Sequence, residues 1–504
     1  MIKLSGRASG VLMPISSLPS PYGIGTFGKS AYDFVDILVR AKQSCWQILP
    51  INPTGFADSP YQCFSTFAGN PYFIDLDMLC EDFLLSKSES DKLSWGSNAQ
   101  KVDYFKIFNH RKAVFDKVYE RFSKNIPADF EDFCRINSYW LDDYALFMAI
   151  KEKYGFASFH NWDRQYVLRD KKALDDFSGK YENRILCAKM LQYLFFKQWH
   201  RLKAYANANG IKIIGDIPIY VSSDSSDVWA NRHVFCLDEQ LRPALLAGCP
   251  PDGFSEHGQL WGNPVYDWQY LKNTEYDWWI KRIKASLEMY DILRIDHFRG
   301  FESYYTVSPE SKTAENGVWR KADGSGLWDA VKKTLGDTPV IAEDLGFLTE
   351  DVIQFVHSTG FAGMKVLQFA FDSREDSDYL PHNYPKNCVV YTGTHDNDTL
   401  LGWLGSLDQT DKNFAMQYLR SRDCFSLCDD IMLCALASTA DLCILPLWDL
   451  LHLGSSSRMN TPSTTFGNWQ WRVTAQQLKD FNTDWLAYYT KLYARNNKKV
   501  CTHL

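Results

Sequence analysis

Short apolar runs rich in β-branched residues recur along this chain, separated by stretches with helical spacing. Eight of them, at 10–15, 45–50, 211–219, 291–296, 338–343, 363–370, 388–395 and 443–449, have the length of strands buried on both faces. Strands of this kind fed by alternating helices predict a parallel α/β sheet, and eight of them predict a closed (β/α)8 TIM barrel. An open dinucleotide-binding sheet needs a Gly-rich turn opening directly from its first strand. The glycines of GIGTFG at 23–28 instead follow Pro-Ser-Pro-Tyr, so that alternative is set aside.

The spacing is uneven. About 160 residues separate the second and third strands, far more than one crossover helix needs. Phe108, Phe115, Tyr119 and Phe122 fall on one face of a candidate helix there. The chain therefore divides into a first barrel part (1–75), a mostly helical insertion (76–185), more barrel (186–220), a loop subdomain (221–275) and the remaining barrel with its own loop insertions (276–504). The loop subdomain is rich in Pro, Gly, Asp and Trp, as segments crossing strand ends are.

Composition narrows the function classes. A net charge of −7 without a basic run argues against a nucleic-acid partner. The 13 cysteines are odd in number, scattered and without C-x-x-C, which argues against a zinc ribbon or a disulfide framework and for a reducing compartment. No secretory leader and no run of spanning length is present, so a soluble, cytoplasmic protein without membrane partners is expected. The 17 Trp, 27 Tyr and 32 Phe fill a core by default, and would equally suit a cleft in which sugar faces stack on rings.

Four strand ends carry acids: Asp216 in GDIPIY, Asp296 in RIDHFRG, Glu343 in IAEDLG and Asp396 in GTHDND. In a parallel barrel such ends face the catalytic mouth. One acid there is as readily a helix cap or loop anchor; four of them, with Arg294 and two histidines alongside, suggest a reaction centre. Paired carboxylates without a metal-ligand pattern suit acetal chemistry: one stays ionised, the other holds a proton for the leaving oxygen. Arg294 lies two residues before Asp296 and so shares its side of the strand, which favours Asp296 as nucleophile and Glu343 as acid/base.

The blocks LPSPYGIG, WQILPINPTGFADSPYQ, FAGNPYFIDL, GDIPIYV, DSSDVWA, PPDGFSEHGQLWGNPVY, RIDHFRGF, IAEDLG, LQFAF, LPHNY, YTGTHDNDT and RMNTPSTTFGNWQWR, in this order, resemble the amylomaltase or disproportionating-enzyme family, glycoside hydrolase family 77 of the α-amylase clan. The likeness runs from the first strand to about Arg472 and is weak over 80–185. It implies 4-α-glucanotransferase activity on α-1,4-glucans such as maltodextrins and glycogen-derived oligosaccharides, with glucose or maltose as acceptors and neither cofactor nor metal. It implies Asp296 as nucleophile, Glu343 as acid/base and Asp396 as the acid gripping sugar hydroxyls. For substrate binding it implies Arg294, Tyr61, Asp216, His297, His395, Asn460 and, on a lid over 249–263, Phe254, Gln259 and Trp261. Phe56, Gly253, Tyr305 and Thr26 depart from the family pattern; Phe56 bears on a secondary glucan groove and Gly253 on how tightly the lid excludes water. The alternatives are an α-glucan hydrolase, a metal hydrolase using His297, His395 and Asp396, and a non-catalytic glucan binder. The metal reading lacks the His-x-His usual on the first strand of such barrels.

Overall fold

The computed structural model describes residues 6–251, 255–346, 348–424 and 426–496. Eight parallel strands form its centre: β1 (Ala8–Leu12), β2 (Cys45–Gln47), β3 (Lys212–Pro218), β4 (Ile292–Asp296), β5 (Val340–Ala342), β6 (Gly363–Val366), β7 (Cys388–Tyr391) and β8 (Leu442–Pro446). Except for β5 and β6, each pairs with the next, and β8 pairs with β1. Between β5 and β6 the ring is joined by the bridge from Ile341 to Ala362, where the Ala342 N–H donates to the Ala362 carbonyl at 2.9 Å. This is the expected (β/α)8 barrel. Its strands are buried almost throughout because the barrel interior lies on one face and the helical ring on the other.

The strands end earlier than the apolar runs do. After Val366 the chain enters a 3₁₀ turn at Leu367–Phe369, and after Pro446 a short helix at Leu447–Leu450. At the first strand the run 10–15 gives pairing over Ala8–Leu12, because Pro14 has no donor and a 3₁₀ turn follows. Glu343, His395 and Asp396 therefore stand on irregular backbone just beyond the last paired residues.

Between β2 and β3 the chain is helical, ending in the 27-residue helix Glu182–Ala208. The helix Tyr104–Phe122 buries Ile107, Arg111, Val114, Phe115, Val118 and Phe122. Phe108 instead lies 45% exposed, so the inward stripe is rotated from the one the aromatic spacing predicts. The aliphatic positions set the face. A second, antiparallel sheet overhangs the barrel: Gln259–Pro264 pairs with Leu246–Cys249, then come Ser303–Val307 and Val318–Lys321. Cys249 and Gln259–Asn263, the described ends of the 249–263 segment, thus lie in the two strands at the outer edge of a sheet. No helix among the described residues is long and apolar enough to cross a membrane.

Candidate active site

The site grows from the ends of β3, β4, β5 and β7. Register places Asp216 on β3 opposite Arg294 on β4. Gly215 lets the β3 backbone approach the Tyr290 ring, where any Cβ would lie 2.1 Å from a ring carbon. The Arg294 guanidinium donates through Nη1 to both Asp216 oxygens, at 2.7 and 2.6 Å, and through Nη2 to Asp296 Oδ1 at 3.1 Å. The Tyr61 hydroxyl donates to Asp216 Oδ2 at 2.9 Å. Asp216 is 0% exposed and meets the cleft only through these partners, whereas the Asp296 side chain is 29% exposed.

Glu343 follows β5. Its Oε2 accepts from the His297 backbone N–H at 2.6 Å and its Oε1 from the Leu345 N–H at 3.2 Å. These bonds fix the carboxyl; no salt bridge to Glu343 is formed among the described residues. His297 sits in the left-handed region at φ 53°, where a non-glycine residue stores strain and is a frequent mark of a working site. Its Nε2 is buried without a hydrogen-bond partner among the described residues. The ring meets Trp261 edge-on at 4.8 Å.

Asp396 lies on the loop after β7. Asn460 Nδ2 donates to its Oδ1 at 2.6 Å, and His395 Nε2 lies 3.4 Å from its Oδ2. Arg458 braces both strands of this contact, donating to the Asp396 carbonyl at 2.6 Å and to the Asn460 carbonyl at 2.7 Å. Beneath the loop, buried Asp449 accepts from Thr392 Oγ1 at 2.6 Å and from the Leu400 N–H at 2.7 Å, pinning both ends of the segment that carries His395 and Asp396. The His395 ring stacks on Tyr61 (5.2 Å, 13°), and Trp469 tilts against both.

The hairpin is fastened to this mouth by Gln62, which donates to the Trp261 carbonyl at 3.0 Å and to Asn263 Oδ1 at 2.8 Å. Trp261 Nε1 donates to Gln259 Oε1 at 3.1 Å. Phe254 and Gly253 lie outside the described residues, as does the side chain of Phe56. Gln62, Asn263, Arg458, Asp449 and Trp469 are site residues that the sequence reading did not single out. All but Asp449 lie within its quoted blocks, and Asp449 ends its last apolar run.

Burial pushes the Asp296 carboxyl well above the usual range; Arg294 pulls it down, and Glu343, Asp216 and Asp396 push it up again. Burial also raises Glu343, against Arg294 and its two backbone N–H bonds. The two acids titrate as a pair, and of the two only Asp296 touches a guanidinium. Burial pushes His297 down to about 3 and lowers His395, so both are neutral imidazoles near pH 7, each with one donor and one acceptor nitrogen. Among the described residues no cluster of His, Cys, Asp and Glu is arranged to hold a metal ion.

Residues 13–478 match the sequence family described as 4-alpha-glucanotransferase. The chain belongs to that family. It is 48% identical to a 4-alpha-glucanotransferase of Clostridium butyricum, over 96% of this chain and 100% of that one. It is 42% identical to the 4-alpha-glucanotransferase of Thermus thermophilus, over 94% and 96%. The fold superposes on the amylomaltase of Streptococcus agalactiae, solved in complex with acarbose, with a TM-score of 0.95, 43% identity, and coverage of 97% of this chain and 100% of that one.

Two of the residues that the sequence reading set apart from the family pattern, Thr26 and Tyr305, make local bonds. Thr26 Oγ1 donates to Asp75 Oδ2 at 2.6 Å in the core, and the Tyr305 hydroxyl donates to the Ala314 carbonyl at 3.0 Å while accepting from the Gly317 N–H at 2.6 Å. Neither residue reaches the three cleft acids.

Proposed function

We propose that this 4-α-glucanotransferase moves α-1,4-glucan segments between maltodextrins by a retaining double displacement, with Asp296 as nucleophile and Glu343 as acid/base. The observation that carries the assignment is the unequal surroundings of two half-buried carboxyls. Asp296 touches the guanidinium that Asp216 holds in place; among the described residues Glu343 accepts only from neutral N–H donors. Burial and acidic neighbours push the Asp296 carboxyl up further than that of Glu343, but Asp296 alone of the two is in contact with a fixed cation, and on that contact the negative charge is assigned to Asp296 and the proton to Glu343.

In the first step Asp296 attacks the anomeric carbon as Glu343 gives its proton to the departing 4-oxygen, leaving a β-glucosyl ester. In the second, Glu343 takes the proton of an acceptor 4-hydroxyl, whose oxygen attacks the same carbon and releases Asp296. Asp396, oriented by Asn460, grips ring hydroxyls, and the unpartnered Nε2 of His297 and the neutral His395 ring supply further contacts. Arg294 acts through Asp296, and Tyr61 supplies a stacking face for the sugar. Acceptors are glucose, maltose or longer chains. Transfer prevails over hydrolysis when the acceptor is held in place, since orientation supplies effective molarities of about 10⁵ M or more. The hairpin carrying Gln259 and Trp261 serves as the lid, to which the sequence adds Phe254. The same reading treats 76–185 as an inserted helical layer and 221–275 as the lid-bearing subdomain, and makes the enzyme cytoplasmic, drawing on stored or imported glucan.

The test uses Glu343→Gln with α-glucosyl fluoride, whose leaving group needs no proton. A glucosyl ester accumulating on Asp296, read by mass spectrometry of the intact protein and its peptides, is the expected result. An adduct elsewhere, or none while turnover continues, contradicts the assignment.

A further inference from the structure

Away from the barrel mouth, a cleft of about 150 Å³ opens where the helix Ser138–Lys153, the 226–234 segment and the helix Asp277–Met289 meet. Aromatic rings supply part of its lining, and the rest is largely polar. Phe67 stacks on Trp140 (6.4 Å, 14°) and meets Tyr139 and Trp278 edge-on, at 5.7 Å and 88° and at 6.2 Å and 87°. Tyr139 and Tyr270, 47% and 38% exposed, stand at its rim.

Two of the three acids lining the cleft are paired, Asp143 with Arg169 at 2.5 Å and Asp277 with Lys281 at 2.6 Å. The third, Asp227, is buried and accepts from the Thr66 N–H, and the carboxylate oxygens retain capacity to accept from hydroxyls. A protein cavity of about this volume takes one benzene ring, so the cleft is scaled to a single six-membered ring. The exposed rings of Tyr139 and Tyr270 offer surfaces for C–H faces, and the polar side chains between them offer partners for hydroxyls, a combination that suits a pyranose.

We propose that this cleft is an accessory sugar site that takes one glucose unit of a long α-1,4-glucan and anchors the polymer outside the catalytic mouth. The proposal rests on the reading that the enzyme acts on such glucans. The two sites share a wall: the segment from Tyr61 to Phe67 has one end at Asp216 and the other in the cleft. Between them the Thr66 N–H donates to Asp227 at 2.8 Å, and Arg282 joins Thr66 Oγ1 to the Ile219 carbonyl just past β3. A polymer bound at both sites gains effective concentration at the mouth; a trisaccharide held at one gains nothing from the other.

Two kinds of variant test this. Tyr139→Ala/Tyr270→Ala removes the exposed rim, and Ala230→Trp fills the cleft from its lining. Affinity for glycogen is read from mobility in native gels containing it, and kcat/KM is measured on maltotriose and on amylose. The expected result is glycogen affinity and amylose kcat/KM lowered about fivefold in both variants, with maltotriose kcat/KM within twofold of wild type. Glycogen affinity unchanged in both, absent in the wild type, or lost in parallel with maltotriose turnover overturns the accessory site. A wild-type protein that retains cleft-dependent glycogen binding yet leaves maltotriose unreacted overturns the catalytic reading alone.

Discussion

Replacing Arg294 by Met tests the site where its parts are most tightly joined. The side chain is 3% exposed and makes three charge-assisted bonds, two to Asp216 and one to Asp296. Methionine keeps most of the volume and removes the charge. Asp216, 0% exposed, is then left with the Tyr61 hydroxyl as its one remaining side-chain partner among these bonds. Removing one member of a buried ion pair costs about 3–5 kcal/mol, a fifth or more of a typical stability of roughly 5–15 kcal/mol. The catalytic loss is separate: without the guanidinium, charge support beside Asp296 disappears, worth about 10²–10³ in kcat. The sign of the pH effect follows from the same contact. Arg294 pulls the Asp296 carboxyl down, so its loss raises that carboxyl further and shifts the acid limb of kcat/KM to higher pH. The assay is a urea titration together with the pH profile of maltotriose turnover. Asp216→Asn added to Arg294→Met serves as the internal control: it removes the stranded charge, so stability recovers in part while the rate does not. An Arg294→Met enzyme with an unmoved acid limb and near-normal turnover refutes the reasoning.

Asn460→Ala removes a 2.6 Å bond to an ionisable acid; such bonds contribute about 1.5–3 kcal/mol, so kcat/KM on maltotriose falls about 10- to 100-fold, with the thermal midpoint little changed. His297 predicts a stability slope. Its folded form titrates at about 3 against 6.5 unfolded, so between those values only the unfolded chain takes the proton, and stability rises with pH there. That contribution is complete above pH 6.5 and lost as pH falls toward 3. His297→Gln should flatten the dependence of the thermal midpoint on pH below 6.5; an unchanged slope contradicts a buried neutral imidazole.

The barrel was legible because its eight strands are apolar on both faces, which leaves long, similar runs in an otherwise polar chain. Their ends were less legible. The runs through Leu367 and Leu447 continue apolar into a 3₁₀ turn and a helix, since these residues stay buried whatever the backbone does. Phe108 misled for the opposite reason: an aromatic residue at the right spacing can lie outside a helix whose stripe is set by Ile107, Val114 and Val118. At the site, the Arg294–Asp296 pairing followed from the two-residue period of a strand. The bracing by Arg458, Asp449 and Gln62 did not, because it joins residues tens to hundreds of positions apart through loops without periodicity. The outer hairpin was hidden by a Pro- and Gly-rich tip that reads as loop.

Transfer of glucosyl units between α-1,4-glucans is read from the chain-length distribution produced from maltotriose alone. A transferase gives a ladder of longer maltodextrins together with free glucose, at a constant number of glycosidic bonds. A net loss of bonds, with glucose and maltose accumulating and no product longer than maltotriose, would contradict transfer.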